Sequence, residues 1–488
     1  MPHQSPPPSP SREAYYPLNN LRDTGSEDRT LPAPTTYDEF KKSKKMDHYT
    51  RTTRWIKPAG ESGRKGFHPI HFTKISFKSA SRASLLCNLL WPVVPAAIAV
   101  RYALPDHHTL IFILAYIAMV PCANMIGFAG QELARKLPHV FGVLTEITIG
   151  SIVEIVLFMV LLNKNMYFVI KAAILGSILA TMLFCLGACF FVGGLLEEEQ
   201  TFNEAISEAG SGLLFTAGVV LALPTVFEHG RFAGNSDSET EVEHQTLQIS
   251  RVISILLIIA YIVYVFFQTR THHGIYDAIF EHDEHRDKDK HKDIDKAKLT
   301  LTECILALAI SVALVSLMAV ILVLQIHHVI ERGDVSDAFM GLILVPFVEK
   351  FAEHLTAVDE AWDNQMNFAL SHVLGATLQT ALFNAPLAVI VSWGLGKELD
   401  LNFDVFNLVM LILGILTVGR FLQDQKSNYL EGFLLMILYV AIAVGAWYYP
   451  DPVEHGASGA NETLHYDMMT RNYLVFAVIF GQAREQLR

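Results

Sequence analysis

The chain has 488 residues, of which 51% are hydrophobic, and a formal net charge of −12; its mean hydropathy is +0.33. A water-soluble chain of this length would be less apolar and would divide into domains, whereas here the apolar residues gather in runs of roughly 20, the length that crosses a bilayer. The negative charge sits largely in loops and tails and argues against a nucleic-acid partner, and no nucleophile–base set or phosphate loop points to an enzyme.

Residues 1–40 are rich in Pro, Ser and charge and read as disordered, and 1–36 hold no apolar stretch of the kind a secretory signal needs. Residues 41–82 carry twelve Lys or Arg against two acids just before the first apolar run, so the tail 1–82 is expected in the cytosol. Eleven apolar runs predict spans at about 84–104, 109–130, 140–162, 167–194, 209–228, 247–268, 299–325, 337–358, 367–393, 402–422 and 428–449. With that start, the Arg135-Lys136 turn and the charged segment 271–298 are cytosolic, as the positive-inside rule requires. Glu132 beside Arg135-Lys136, near Gln131, reads as a surface ion pair, and Glu197-Glu198-Glu199 as a solvated loop. The alternating charges from Glu281 to Lys298 also read as a solvated helix or coil; the His and Asp of 272–295 show no defined ligand spacing. The tail 451–488 becomes luminal, which exposes the sequon Asn461-Glu462-Thr463 to glycosylation. The last apolar run, 472–480, is too short to span. Cys87, Cys122, Cys185, Cys189 and Cys304 fall in or beside apolar spans without metal-ligand spacing and read as small buried side chains.

One motif is written twice. Gly142, Glu154, Leu175, Gly176, Leu179, Thr181, Leu183 and Phe184 recur, without a gap, as Gly341, Glu353, Leu374, Gly375, Leu378, Thr380, Leu382 and Phe383. Each copy puts one Glu at membrane depth, where a carboxylate is expensive and marks an ion or proton pathway. Glu154 falls in the third span and Glu353 in the eighth. An offset of five spans is odd, so the copies enter the membrane from opposite sides. The expected fold is therefore an all-α polytopic membrane protein of about eleven spans, with one lead helix and two inverted five-helix repeats around a midplane site. The first repeat lies in 83–270, the linker is 271–298 and the second repeat lies in 299–450.

Glu154 and Glu353 are the ion- and proton-binding pair expected to hold the metal cation, because burial favours a neutral carboxyl while a bound cation restores its charge. Glu349 lies four residues before Glu353, on the same helix face, and Lys350 lies three before Glu353 and four before His354, within reach of the first. Glu146 lies eight residues before Glu154, roughly 12 Å along the axis, as a second station on one path. Each of these acids could instead be a hydrogen-bonded core group. Lys350 could be a partner of a nearby acid, and His354 a proton relay or a satisfied core histidine. Gly142, Gly150, Gly176, Gly341 and Gly375 allow close helix approach or local loosening.

These residues resemble the cation/proton exchanger family of the calcium/cation antiporter superfamily, over about 84–449. Gly150-Ser151-Ile152-Val153-Glu154 is similar to that family's G-N-V-T-E, and Glu349-Lys350-Phe351-Ala352-Glu353-His354 to its G-N-A-A-E-H. Gly176-Ser177-Ile178-Leu179 and Gly375-Ala376-Thr377-Leu378-Gln379 match the stretches that follow, and Cys189–Leu195 is also similar. The resemblance implies that a cytosolic cation enters an acidic organelle as protons leave. It implies that Glu154 and Glu353 are the essential carboxylates, that Ser177 and Gln379 lie close to the ion, that the first and sixth spans of the membrane domain slide as a gate, and that the acidic linker is regulatory.

Departures bear on the ion. Both motif Asn residues are replaced, by Ser151 and Lys350, and Glu349 replaces a Gly. Glu146 stands where relatives have Asn, and Asn124 and Gln131 where they tend to have acids. Calcium takes six to eight oxygens, so losing an amide and gaining an ammonium weakens the calcium reading. The run Asp359-Glu360-Ala361-Trp362-Asp363 looks closer to fungal vacuolar monovalent cation/proton antiporters. The expectation is a secondary active antiporter of a vacuole or other endomembrane, with the bilayer, protons and Ca2+ or Na+/K+ as its partners and no cofactor. A cation channel and a non-transporting receptor or scaffold are the rivals.

Overall fold

The computed structural model describes residues 62–449 apart from 63, 65, 79–81, 233–238, 287–296 and 334. The tail expected over 1–40, most of the basic stretch 41–82, the sequon at Asn461 and the run 472–480 lie outside the described residues. The protein is an all-α polytopic membrane protein. Apolar runs fold as helices here because a bilayer offers no partner for free backbone groups, so each segment must satisfy its own. Nine helices among the described residues are long and apolar enough to cross a membrane: Ser84–Ala103, His108–Ala134, His139–Asn163, Tyr167–Gly194, Glu204–Arg231, Glu241–Thr271, Leu301–Ile330, Met366–Gly394 and Tyr429–Trp447.

Two predicted spans differ from that set. The run at 402–422 shortens to Val405–Phe421, with the Asp404 carboxylate capping its start by accepting from the Phe406 amide at 2.8 Å. The run at 337–358 is cut into pieces, Met340–Leu344 with wide π-type turns, then Val345–Glu349, then Phe351–Trp362. The interruption at Lys350 has a counterpart: the helices His139–Gly150 and Ile152–Asn163 meet at Ser151. Each repeat thus breaks its helix three residues before the matched Glu. Each broken helix ends in a turn carrying an Asn in the left-handed region, Asn165 (φ 58°) and Asn364 (φ 65°), a conformation Asn tolerates better than most residues.

Tyr167–Gly194 and Met366–Gly394 are the most enclosed spans, each with 83% of its apolar window buried. They carry the Leu-Gly openings of the motif. Gly176 is needed where it stands, because a Cβ there would run into the Leu342 carbonyl oxygen.

The linker differs from the solvated segment expected. His273–Arg286 is a helix with one buried face of Tyr276, Ile279, Phe280 and Asp283. Asp283 accepts from the amides of Asn367 (2.7 Å) and Phe368 (3.3 Å) and from the Asn367 side chain (2.8 Å), capping the start of Met366–Gly394. Burial pushes the Asp283 carboxyl above its usual range, and these donors oppose the shift. His139, opening His139–Asn163, is gripped by Asp277 at 2.9 Å and Glu284 at 2.7 Å. The linker helix therefore packs where two site-bearing spans begin; that side is called the linker side below, and the other the far side. Glu132 pairs with Arg135 at 3.2 Å, as expected, but its carboxylate is buried and also accepts from the Leu299 amide at 2.8 Å. Glu197, Glu198 and Glu199 are exposed. All five cysteines are free and buried.

Candidate functional site

The two helix breaks bring the matched acids together. Lys350 Nζ lies 2.7 Å from Glu154 Oε2 and 3.1 Å from Glu353 Oε2, and the lysine side chain is 1% exposed. One ammonium therefore bridges the carboxylates of both repeats. The pairing with Glu353 follows from their spacing of three in sequence; the pairing with Glu154 crosses the repeats and has no local signal.

Glu154 is sealed, with its side chain 1% exposed. Thr380 donates to both of its oxygens, at 3.0 and 2.9 Å, and the Asn384 amide donates to Oε2 at 2.7 Å. Thr380 and Asn384 begin and end the π-type turn Thr380–Asn384. The first repeat widens at the equivalent place, Ala180–Cys185. Such widened turns re-aim side chains and are frequent at functional sites. Thr380 belongs to the repeated motif, which was the available signal for it; Asn384 has Cys185 at the equivalent position and carried none.

Glu353 is less enclosed, at 13%. It fits because residue 150 is glycine: a Cβ there would lie 2.7 Å from Glu353 Oε1. Glu349 does not continue the helix to Glu353, since the chain breaks between them; its Oε1 accepts from the Ser177 hydroxyl. Gln379 donates to Ser151 Oγ at 2.7 Å. Ser177 and Gln379 thus lie beside the breaks. Four buried oxygens of this group, Glu349 Oε2, Glu353 Oε1, Gln379 Oε1 and Asn384 Oδ1, have no hydrogen-bond partner among the described residues. They are oxygen ligands of the kind a hard cation takes. His354 is buried, with Nε2 3.4 Å from Thr181 Oγ1.

Asn124 does not join this group. It accepts from Ser84 at 2.7 Å and donates to Asn88 at 3.2 Å, tying the second span to the lead helix. Its polar amide has a partner in the first helix, and sequence spacing could not show that. Gln131 donates to Thr356 at 3.0 Å, joining the second span to the broken helix.

From Glu353 a small cavity runs between the spans toward the linker side, lined by Glu146, Thr181, His354 and His372 among others. His372 Nδ1 is 2.6 Å from Glu360 Oε2, and its Nε2 is 3.5 Å from Glu146 Oε2. Glu146 thus lines the same cavity as Glu353, but its partner His372 and the more distant Glu360 were not singled out from sequence. Glu360 follows Glu353 by seven residues, two helical turns on one face, which was the usable signal. On the far side the polar groups clamp rather than line a path. Lys397 donates to the Leu162 carbonyl at 2.8 Å, and Lys171 pairs with Asp400 at 2.6 Å.

Residues 107–270 and 304–448 match the family described as sodium/calcium exchanger protein. Vacuolar cation/proton exchanger 2 of Arabidopsis thaliana is 32% identical over 371 residues, covering 76% of this chain and 82% of that one. A vacuolar calcium ion transporter of Schizosaccharomyces pombe is 30% identical over 340 residues, covering 70% and 79%. The structure of native YfkE superposes with a TM-score of 0.60 at 26% identity, over 74% of this chain and all of that one. The H+/Ca2+ exchanger CAX, at 12% identity and a TM-score of 0.53 over 85% of this chain and 96% of that one, shares the fold.

Proposed function

The chain belongs to the sodium/calcium exchanger protein family, whose relatives above are transporters and not enzymes, and from that premise we propose that it is a secondary active antiporter. It moves a cytosolic cation into an acidic organelle, a vacuole or another endomembrane compartment, and returns protons. Cation and proton compete for Glu154 and Glu353, and the site opens to each side in turn. The observation that carries this reading is the convergence of one carboxylate from each repeat on a single positive charge, 2.7 and 3.1 Å away, at two helix breaks. Broken helices at membrane depth are where transporters hold their ions. A scaffold would have no need of such a pair, and a channel would have no need of titratable acids matched across a repeat.

In this reading the spans form a lead helix and two inverted five-helix repeats, with the linker side cytosolic and the C-terminal tail luminal. The cation and the proton are cargo, and no cofactor is required. Ser177 and Gln379 lie near the ion, and Ser151, Lys350 and His354 modulate it. Lys350 disfavours calcium relative to sodium or potassium, because a fixed ammonium repels a divalent ion about twice as strongly as a monovalent one. The test is proton efflux from acid-loaded vesicles on adding calcium, sodium or potassium separately, with the voltage clamped at zero. Proton efflux that requires the added cation and accumulates it inside above its outside concentration supports antiport. Flux that only dissipates the cation gradient, without proton movement, supports a channel and overturns the proposal.

A further inference from the structure

We infer that Glu146, His372 and Glu360 form a separate proton port, the place where the linker side delivers and collects the exchanged proton. The inference rests on the antiporter reading and adds to it a proton site distinct from the Glu154–Lys350–Glu353 cluster.

The geometry comes first. Three chain segments each contribute one titratable group to a single contact: Glu146 from His139–Gly150, Glu360 from Phe351–Trp362 and His372 from Met366–Gln379. The imidazole sits between the two carboxylates, at 2.6 and 3.5 Å, with its side chain 8% exposed. The carboxylates are 17% and 16% exposed, so the acids are less enclosed than the ring between them. Among the described residues Glu146 Oε1 is buried without a hydrogen-bond partner, as is Glu353 Oε1, and both residues line the same cavity as His372. The cavity also holds His354 and Cys185, while Asp283 of the linker helix is engaged by Asn367 at the start of the His372 helix.

The repeat supplies an internal control. The positions equivalent to Glu146, Glu360 and His372 are Val345, Leu161 and Ala173. All three are buried and apolar. The same fold therefore packs without any of these charges, so packing does not explain them. Burying an ion-pair group inside a membrane protein costs free energy, and ionisable residues kept there mark ion or proton pathways. An imidazole held between two carboxylates can pass a proton from one ring nitrogen's partner to the other's. The port leaves the metal cation to the oxygen-rich group around the helix breaks, and takes protons at a place with no unpartnered amide oxygens.

The experiment uses the full chain in acid-loaded proteoliposomes, with His372→Gln and with the triple change Glu146→Val, Glu360→Leu, His372→Ala, which installs the residues of the other repeat. Two quantities are read: cation-driven proton efflux as a function of linker-side pH, and equilibrium binding of isotopic calcium or sodium to the purified protein. Both variants are expected to lose at least about tenfold in exchange, equal to about 1.4 kcal/mol in barrier, and to flatten the linker-side pH profile. Cation binding is expected to stay within about twofold. A wild-type pH profile in the folded triple variant, or cation binding that falls in step with exchange, overturns the inference and leaves antiport standing. Wild-type protein that shows no cation-driven proton flux with any of the three cations overturns the antiporter reading, and the port with it.

Discussion

The two repeats place the same acid at the same helix break and then surround it differently. Glu154 is shut in by Thr380, Asn384 and Lys350, all from the other repeat. Glu353 keeps the lysine but faces a cavity instead of a matching threonine and amide. Its would-be partner Thr181 turns to His354, and the position equivalent to Asn384 is Cys185. Beyond the two acids, the linker side carries Glu146, Glu360 and His372, where the other half carries Val345, Leu161 and Ala173. A transporter built from two equal repeats would present equal faces to both solutions. Here the unequal residues lie outside the motif, so the motif makes the site and the departures from it give the site its sides.

The sharpest way to break this comparison is at the paired positions 151 and 350. Lys350→Met leaves two buried carboxylates without their cation, and should lower stability by about 3–5 kcal/mol. Ser151→Ala removes the acceptor of one amide hydrogen bond and the hydroxyl that donates to the Thr148 carbonyl at 3.0 Å, and should cost about 1–2 kcal/mol. Thermal unfolding of the purified variants measures both, and equal losses would contradict the asymmetry. The paired glycines come next. Gly176→Ala pushes a methyl into the Leu342 backbone carbonyl, whereas Gly375→Ala meets the end of the Ile147 side chain at 2.6 Å, which can turn away. The first should cost about 1–3 kcal/mol and the second less than about 1 kcal/mol, again by unfolding. A smaller effect is expected on selectivity. Lys350→Asn should raise the ratio of calcium-driven to sodium-driven exchange by about tenfold, near 1.4 kcal/mol, and more so with Glu349→Gly. An unchanged ratio in both variants would make Lys350 a structural partner only.

Much of this was legible in the sequence. Hydropathy located the spans, and the ungapped recurrence singled out Glu154 and Glu353 because repetition and cost coincide there. Composition alone could not show where a span breaks: Lys350 and Ser151 interrupt helices whose apolar runs look continuous or merely polar. Nor could it show contacts across repeats, so the Lys350–Glu154 pair, Asn384 and the Glu146–His372 contact appear only when distant segments meet. Asn124 looked like a site residue by position and is instead held by Ser84 and Asn88. The linker's charges concealed an amphipathic face, Tyr276, Ile279, Phe280 and Asp283, whose spacing was readable but whose acid looked solvated.

The central claim, that Glu154 and Glu353 form one exchange site, is tested most directly by cation-driven proton efflux from acid-loaded vesicles carrying wild type, Glu154→Gln or Glu353→Gln. Gln keeps the size and the hydrogen bonding but cannot cycle a proton. The account predicts efflux from wild type and, from either variant that folds, less than about a tenth of it, a loss above about 1.4 kcal/mol in barrier. More than a tenth of wild-type exchange in either folded variant would contradict it.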